Sequence, residues 1–368
     1  MSNRRGFLKN AGGAAAGVVF TGCIRLVLDN QHRFRGLLTA AQQFGAPRRR
    51  QVVVGGQRVK TIDVHAHCAV PAAAKLVNRD VSGQDTPLEQ RLKAMDAEGI
   101  DMEALSINPF WYEADRDVAT QLIKMQNEGL AELCSAHPDR FVAFASVALQ
   151  FPDLAAQQLE EGVKKLGLRG AAIAGHVNGD ELSNRKFDPF WAKAEELGVL
   201  IFMHPLQFGN PTGIPELDRR FAGNGRLNNV IGNPLETTIF FSHLIFDGTL
   251  DRYPGLKICG AHGGGYLASY VDRSDHGCSA GPGCSPIKKR PSEYFREQLY
   301  ADSLVFTPEA LRHLVAVCDA SHIMIGTDFP FPWTTTPVDH VLSTPGLSDA
   351  DKRAILGGNA AKLLRIVT

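Results

Sequence analysis

From Thr61 onward the chain repeats one unit eight times: a short apolar run followed by a longer amphipathic stretch. The runs are "TIDVHAH", "EALSIN", "FVAFASVAL", "GAAIAGHV", "LIFMHP", "LKICGAH", "LYADSL" and "IMIGTDFP". Between them lie helical patterns such as "LEQRLKAMDAEG", "DLAAQQLEEGVKKLG", "FDPFWAKAEELG" and "TPEALRHLVAVC", several closed by the glycine that a helix C-terminus favours. Eight strand–helix units predict an α/β fold, a (β/α)8 TIM barrel over residues 61–368, with its site where the C-terminal ends of the strands meet. A doubly wound open sheet is the alternative, but no G-x-G-x-x-G follows the first strand. At 368 residues and 44% hydrophobic content, the chain can bury a core of the required size.

The polar residues fall on this frame in a pattern. Successive strand residues face opposite ways, so Asp63, His65 and His67 share one face of the first run. His65 and His67 close strand one, His176 strand four, His204 strand five, His262 strand six and Asp328 strand eight. Core histidines satisfied by carbonyls could sit anywhere along a strand, whereas a metal site at the barrel mouth needs them at these ends. Three imidazoles and one carboxylate suit Zn²⁺, with Mn²⁺ as another divalent choice, and the expected ligands are His65, His67, His204 and Asp328. Pro205 holds His204 in extended backbone, and Pro330 helps end strand eight. Strand four, "AAIAGHVNG", carries no lysine that could bridge two metals, so one metal is expected. His262 opens "HGGGYLASYVDR", where glycines let the backbone approach a ligand, and is free to act as general acid or base. Asp328 is placed in catalysis as well as ligation, and His176 in substrate binding. Arg273 could present a planar fork to a carboxylate.

Other features bound the setting. Thirty-nine basic residues balance thirty-nine acidic ones, so no global field favours nucleic acid or an anionic membrane, and a small molecule is the expected partner. The seven cysteines contain no C-x-x-C pair, which argues against a zinc ribbon. Cys278 and Cys284 could pair in an oxidising compartment or remain as two thiols. Residues 1–23, with Arg4 and Arg5 before an Ala/Gly/Val segment, read as a twin-arginine signal for export to the periplasm through the twin-arginine machinery. Cytoplasmic residence with a basic tail, or a lipid anchor at Cys23, are the alternatives. Residues 24–60 read as a connecting helix and a hairpin turning on Gly55-Gly56, with Arg48 to Arg50 as a solvated face. "GCSAG", residues 277–281, fits the G-x-S-x-G of serine esterases, but Ser279 follows a helical pattern where a nucleophile elbow needs a strand. A binding barrel with a structural metal is the non-enzymatic alternative.

Together "DVHAH", "RLKAMDAEGIDMEALS", "GHVNG", "FMHP", "NPLETT", "LKICGAHGGGYLASYVDR", "LYADSLVFTPEALRHL" and "IGTDFPFP" carry a resemblance. From Thr61 to about Leu364 the chain resembles the metal-dependent amidohydrolase superfamily, in the branch typified by aminocarboxymuconate-semialdehyde decarboxylase. The resemblance implies a barrel, a single Zn²⁺ on His65, His67, His204 and Asp328, and a catalytic His262. It further implies that Arg273 binds substrate carboxylate, across the interface of a homodimer, and that Arg91 and Phe331 enter the substrate pocket. Leu206 stands where the type decarboxylase has an aromatic residue, which leaves the substrate open. The expected activity is non-oxidative decarboxylation of an unsaturated or aromatic carboxylic acid, with metal-dependent hydrolysis or hydration on the same barrel as the alternative.

Overall fold

In the computed structural model, the described residues are 49–206, 214–223, 225–280, 284 and 287–367. The signal-peptide reading, the connecting helix and Cys23 lie outside them.

Eight parallel strands follow in chain order: β1 (Ile62–His67), β2 (Met102–Ser106), β3 (Phe141–Ala143), β4 (Gly170–Ile173), β5 (Leu200–Met203), β6 (Lys257–Gly260), β7 (Leu299–Asp302) and β8 (Ile323–Met324). They form two arcs, β1-β2-β3 and β4-β5-β6-β7-β8. Single bridges join the arcs, Ala145 to Ala171 on one side and Ala66 to Phe329 on the other. At the second seam Val64 N donates to Ile325 O at 3.0 Å, Asp328 N to His65 O at 2.8 Å and His67 N to Phe329 O at 2.6 Å. These bonds close a barrel and set the end of β1 directly against the segment that follows β8.

The surrounding helices form where amphipathic spacing and caps agree. α1 (Leu88–Glu98) and α4 (Asp188–Leu197) each stop at a left-handed glycine, Gly99 and Gly198. α2 (Arg116–Ala136) is capped by Asp115, whose side chain accepts from Val118 N, and α3 spans Pro152–Lys164. α5 (Asn233–Phe246), α6 (Leu267–Ser279), α7 (Pro308–Cys318) and α8 (Asn359–Leu363) complete the ring, with Thr307 capping α7. The larger apolar cluster includes the helix faces, among them Leu122, Leu159, Trp191 and Phe241. A smaller one gathers Met102, Phe144, Leu200, Phe202 and Cys259. Phe202 shares a strand face with His204, two residues on, so the apolar cluster sits one strand repeat below the mouth.

Three expectations need correction. Arg49 and Arg50 are not a solvated face: Arg49 Nε pairs with buried Asp101 at 2.8 Å, and Arg50 holds Asp339 in a bidentate pair. With the hairpin Val53–Val54/Gln57–Arg58, they belong to a compact unit that begins at Pro47. β4 ends at Ile173, so His176 does not close it. His176 lies in a separate antiparallel hairpin with Glu181, its Nδ1 accepting from Gly179 N at 3.1 Å. The glycines after His262 serve packing: a Cβ on Gly265 would stand 2.3 Å from Pro234 O, and one on Gly263 2.7 Å from Val305. Cys278 and Cys284, whose state the sequence leaves open, are joined as a disulfide.

Candidate functional site

Three imidazoles and a carboxylate converge at the mouth. One ligand atom from each of His65, His67, His204 and Asp328 lies within 4.8 Å of all the others, and all four residues are buried. Each imidazole is held at Nδ1. His65 Nδ1 donates to Asp302 Oδ2 at 2.6 Å, His67 Nδ1 meets Ser106 Oγ at 3.2 Å, and His204 Nδ1 donates to Pro205 O at 2.8 Å. With Nδ1 engaged, each ring turns Nε2 inward as a lone-pair donor, the tautomer that metal-binding histidines adopt.

The inward atoms are too close to one another to be satisfied by themselves. His65 Nε2 and His67 Nε2 are 3.1 Å apart, Asp328 Oδ1 is 2.8 Å from His67 Nε2, and buried His204 Nε2 has no hydrogen-bond partner. Facing lone pairs repel unless positive charge lies between them, so this donor set fits a divalent cation, and its nitrogen and oxygen atoms suit Zn²⁺ or Mn²⁺. Titration behaviour agrees. Burial lowers His67 to about 4 against the pull of Asp328, and burial with the neighbouring imidazoles takes His204 well below the usual histidine value, so both keep a free lone pair. His65 departs from this: burial opposes its charge, but Asp328 and Asp302 on either side outweigh it and push the group up to about 10, so this ring holds a proton that a bound cation would have to displace. The flanking imidazoles overcome burial at Asp328 and hold its carboxyl well below the usual carboxylate range.

His262 approaches the same carboxylate from β6. Its Nε2 is 3.7 Å from Asp328 Oδ2, while its buried Nδ1 has no partner. Both residues sit in the left-handed region, His262 at φ 59° and Asp328 at φ 61°, where a side chain is strained and local bonds must hold it. Asp328 is held by His65 O, and the approach to it by Thr327, whose Oγ1 donates to buried Asp63 at 2.6 Å.

The strain at His262 is supported by a residue that sequence reasoning passed over. Asp302, at the end of β7, accepts from His65 Nδ1 at 2.6 Å, His262 N at 3.0 Å, Gly263 N at 2.7 Å and Leu304 N at 3.1 Å. Burial would raise its pKa, but the bond from His65 prevails and holds it down. A carboxylate closing "LYADSL" carried the same strand-end signal as Asp328.

A cavity of about 330 Å³ opens over His204 and Asp328, with Phe331, Trp333, Arg226 and Asn233 among its walls. Phe331 thus reaches the site, its ring centroid 5.8 Å from that of His67. Trp333 also borders a smaller cavity that His262 faces. Arg91 does not reach either cavity. It is buried on α1, where Nη1 donates to Glu103 at 2.7 Å, Nη2 to His67 O, and its guanidinium lies 4.6 Å from the Phe329 ring centroid. Arg91 therefore braces the backbone of a ligand strand. Arg273 is exposed on α6, away from these cavities, and His176 lines neither. Ser279 ends the same helix, its Oγ bonded to His276 O at 2.9 Å, with no strand before it to form an elbow.

Residues 62–366 match the amidohydrolase family. The 2-amino-3-carboxymuconate-6-semialdehyde decarboxylase of Dictyostelium discoideum is 30% identical over 82% of this chain and 84% of its own. The gamma-resorcylate decarboxylase of Rhizobium radiobacter is 33% identical over 79% and 90%. Among solved structures, the dihydroxybenzoic acid decarboxylase of Polaromonas sp. JS666, with bound manganese and the inhibitor 2-nitroresorcinol, superposes with a TM-score of 0.72 at 27% identity, covering 84% of this chain and 97% of that one. A closed eight-stranded barrel, a three-histidine, one-aspartate cluster at its mouth and likenesses that cover 79–84% of this chain lead to one assignment: the chain belongs to the amidohydrolase family, in its aminocarboxymuconate-semialdehyde decarboxylase-like branch.

Proposed function

We propose that the protein is a metal-dependent, non-oxidative decarboxylase of a small aromatic or unsaturated carboxylic acid, with Zn²⁺ as its cation. The observation that carries this reading is the division of labour around Asp328. Three imidazoles face its Oδ1 as a cation site, while His262 faces Oδ2 from 3.7 Å without belonging to that set. The relatives' names as decarboxylases support the reaction, and manganese in the Polaromonas structure makes Mn²⁺ the competing cation.

A divalent cation bound here would supply Lewis acidity, drawing charge from the substrate as the bond to its carboxylate breaks. The chain supplies the rest. In the reaction one C–C bond breaks, CO₂ leaves, and the electron pair left on carbon takes up a proton. His262 gives that proton from Nε2, which lies 3.7 Å from Asp328 Oδ2, its ring bordering the smaller cavity that shares Trp333 with the larger one. Asp302 fixes His262 through its backbone, so the proton donor and the His65 ligand share one carboxylate support. Phe331 and Trp333 wall the cavity with apolar surface, which limits water beside the carbon being protonated.

The test incubates the metal-loaded protein with a panel of aromatic and unsaturated acids in D₂O. Released CO₂ with one deuterium at the vacated carbon is the expected result, and hydrolysis products without CO₂ would overturn the proposal. Export through the twin-arginine route is a second part of it, resting on Arg4 and Arg5. Replacing both with lysine should hold the protein in the cytoplasm, and unchanged fractionation would count against that route.

A further inference from the structure

Trp333 borders three cavities. The largest holds His204 and Asp328, a second of about 120 Å³ faces His262, and a third of about 290 Å³ shares Leu304 and Phe306 with the second. Charge falls away along this series. The walls of the first carry Asp80, Arg226 and Asp328, whereas no lysine, arginine, aspartate or glutamate among the described residues lines the other two. The third cavity is walled by Phe306 and Trp333, with Ser303 at its most buried side. Ser303 follows Asp302 at the end of β7 and continues the strand's alternation, so Asp302 reaches His65 while Ser303 turns to this cavity. Ser303 is 3% exposed and is fixed through its backbone N, which donates to Met324 O at 2.8 Å. Its Oγ has no hydrogen-bond partner among the described residues. His340 adds a second unengaged polar atom, a buried Nε2 without a partner, and burial lowers its pKa, so the ring brings no charge. Enclosed polar groups left unpaired are costly, and a ligand that pairs them recovers that cost.

Decarboxylation changes the charge of what the site holds. The acid is drawn toward a cation beside His204 and Asp328, and the product has one carboxylate fewer. A carboxylate moving into an uncharged cavity would leave water without meeting a counter-charge, which is strongly unfavourable. A neutral ring bearing a hydroxyl group meets no such penalty, since aromatic walls cover its faces and Ser303 and His340 can pair its hydroxyl. Resting on the decarboxylase reading above, we infer that the cavity between Ser303, His340 and Trp333 is a product site, which takes a neutral hydroxylated aromatic ring from the His262 side. Thr335 and Thr336 are exposed at its outer edge, where the ring is released to water. Trp333 is the wall that acid and product share. The two are sorted by charge: the acid stays over the metal ligands, and the product has a second place to occupy before the next acid arrives.

The experiment titrates phenol by calorimetry into the metal-loaded wild type, Ser303→Ala and Thr335→Trp, with and without saturating benzoate, and records metal content and melting temperature for all three. Thr335 is exposed, so an indole there can fill the cavity from outside while the fold is kept. Phenol should bind the wild type whether or not benzoate is present. Both variants should weaken phenol about tenfold, while benzoate affinity and metal content stay the same. Turnover supplies a second readout. With a hydroxybenzoic acid that the wild type decarboxylates, Thr335→Trp should lower kcat in multiple turnover and leave the single-turnover rate of CO₂ release unchanged, because only product departure is obstructed. Phenol displaced by benzoate, or bound equally by all three proteins, would overturn the inference and leave the decarboxylase reading standing. A Thr335→Trp variant slowed equally in single and multiple turnover would do the same. Phenol binding weakened in both variants, with no CO₂ from any acid, would instead overturn the decarboxylase reading, and the occupant would no longer be a product.

Discussion

The floor of the site and its rim are built differently. On the floor, His65, His67, His204 and Asp302 stand at or next to strand ends, and each has a second atom tied to a neighbour at 2.6–3.2 Å. At the rim, Arg226 and Trp333 come from connecting segments, with the guanidinium 5.3 Å from the indole centroid and the indole also 6.2 Å from the Phe306 ring. Rigid strands fix geometry to the fraction of an ångström that cation binding and proton transfer demand, whereas loops can change without disturbing the barrel. The proposed chemistry therefore rests on the floor, and the rim is the part free to vary.

Variants of the floor should break that contrast most severely. His204→Ala or Asp328→Ala removes a donor from a set with none to spare, so bound metal should fall from near one equivalent per chain to a small fraction, with activity lost alongside. Elemental analysis checks this, and full retention of metal would show that the floor is not the cation site. Next in size is His262→Ala, expected to cost about 10² to 10⁴-fold in rate while metal content stays unchanged. Loss of metal from that variant would move His262 into the ligand set and merge the two duties separated above.

Asp302→Asn probes the support beneath the floor. It keeps the shape but weakens four charge-assisted bonds, and outer partners of metal-binding histidines typically contribute about 10 to 100-fold in metal affinity. Competition with a chromophoric chelator measures the change, and an unaltered affinity would make Asp302 a backbone anchor alone. The smallest effect is expected far from the floor, at Glu98. Burial and the nearby charge of Glu103 push this carboxyl up to about 7, whereas in the unfolded chain it ionises near the usual 4.5. The folded state then binds more protons across that window, so stability contributed by this group falls as pH rises from about 4.5 to 7. Glu98→Gln should melt higher than wild type at pH 8 and no higher at pH 4. An equal offset at both would trace the effect to packing. Burial raises both carboxyls, but the hydrogen bonds and positive neighbours of Asp302 outweigh it, whereas at Glu98 the charge of Glu103 adds to it, so the two titrate in opposite directions.

Much of the floor was legible because one rule, polar residues at the C-terminal ends of apolar runs, applies to His65, His67, His204, His262 and Asp328 alike. Asp302 obeyed the rule and was passed over because its role is to hold a ligand rather than be one. His176 misled because the chain leaves the barrel wall after β4 and pairs His176 with Glu181 in a separate hairpin, whereas Asp328, four residues past β8, stays bonded to the end of β1 through His65 O. Arg91 misled for another reason. Its partners, Glu103 on β2 and the carbonyl of His67, come together only when α1 packs on the sheet, and no local spacing records that. Arg226 and Trp333 lie in segments with no periodicity, where a sequence carries little information about which side chains meet.

The seam between β1 and β8 also sets an order in time. His67 and Asp328 are 261 residues apart, yet they face the same candidate cation site. At a ribosome adding 5 to 20 residues per second, roughly 13 to 50 seconds separate the emergence of the first two donors from that of the last. Through that interval a nascent chain can offer a cation first a pair of imidazoles and then, once His204 has emerged, three, so the complete donor set appears only when synthesis is almost finished. A bound ion then acts as a clasp between the two ends of the barrel, and a product truncated before Asp328 can neither close nor be fastened.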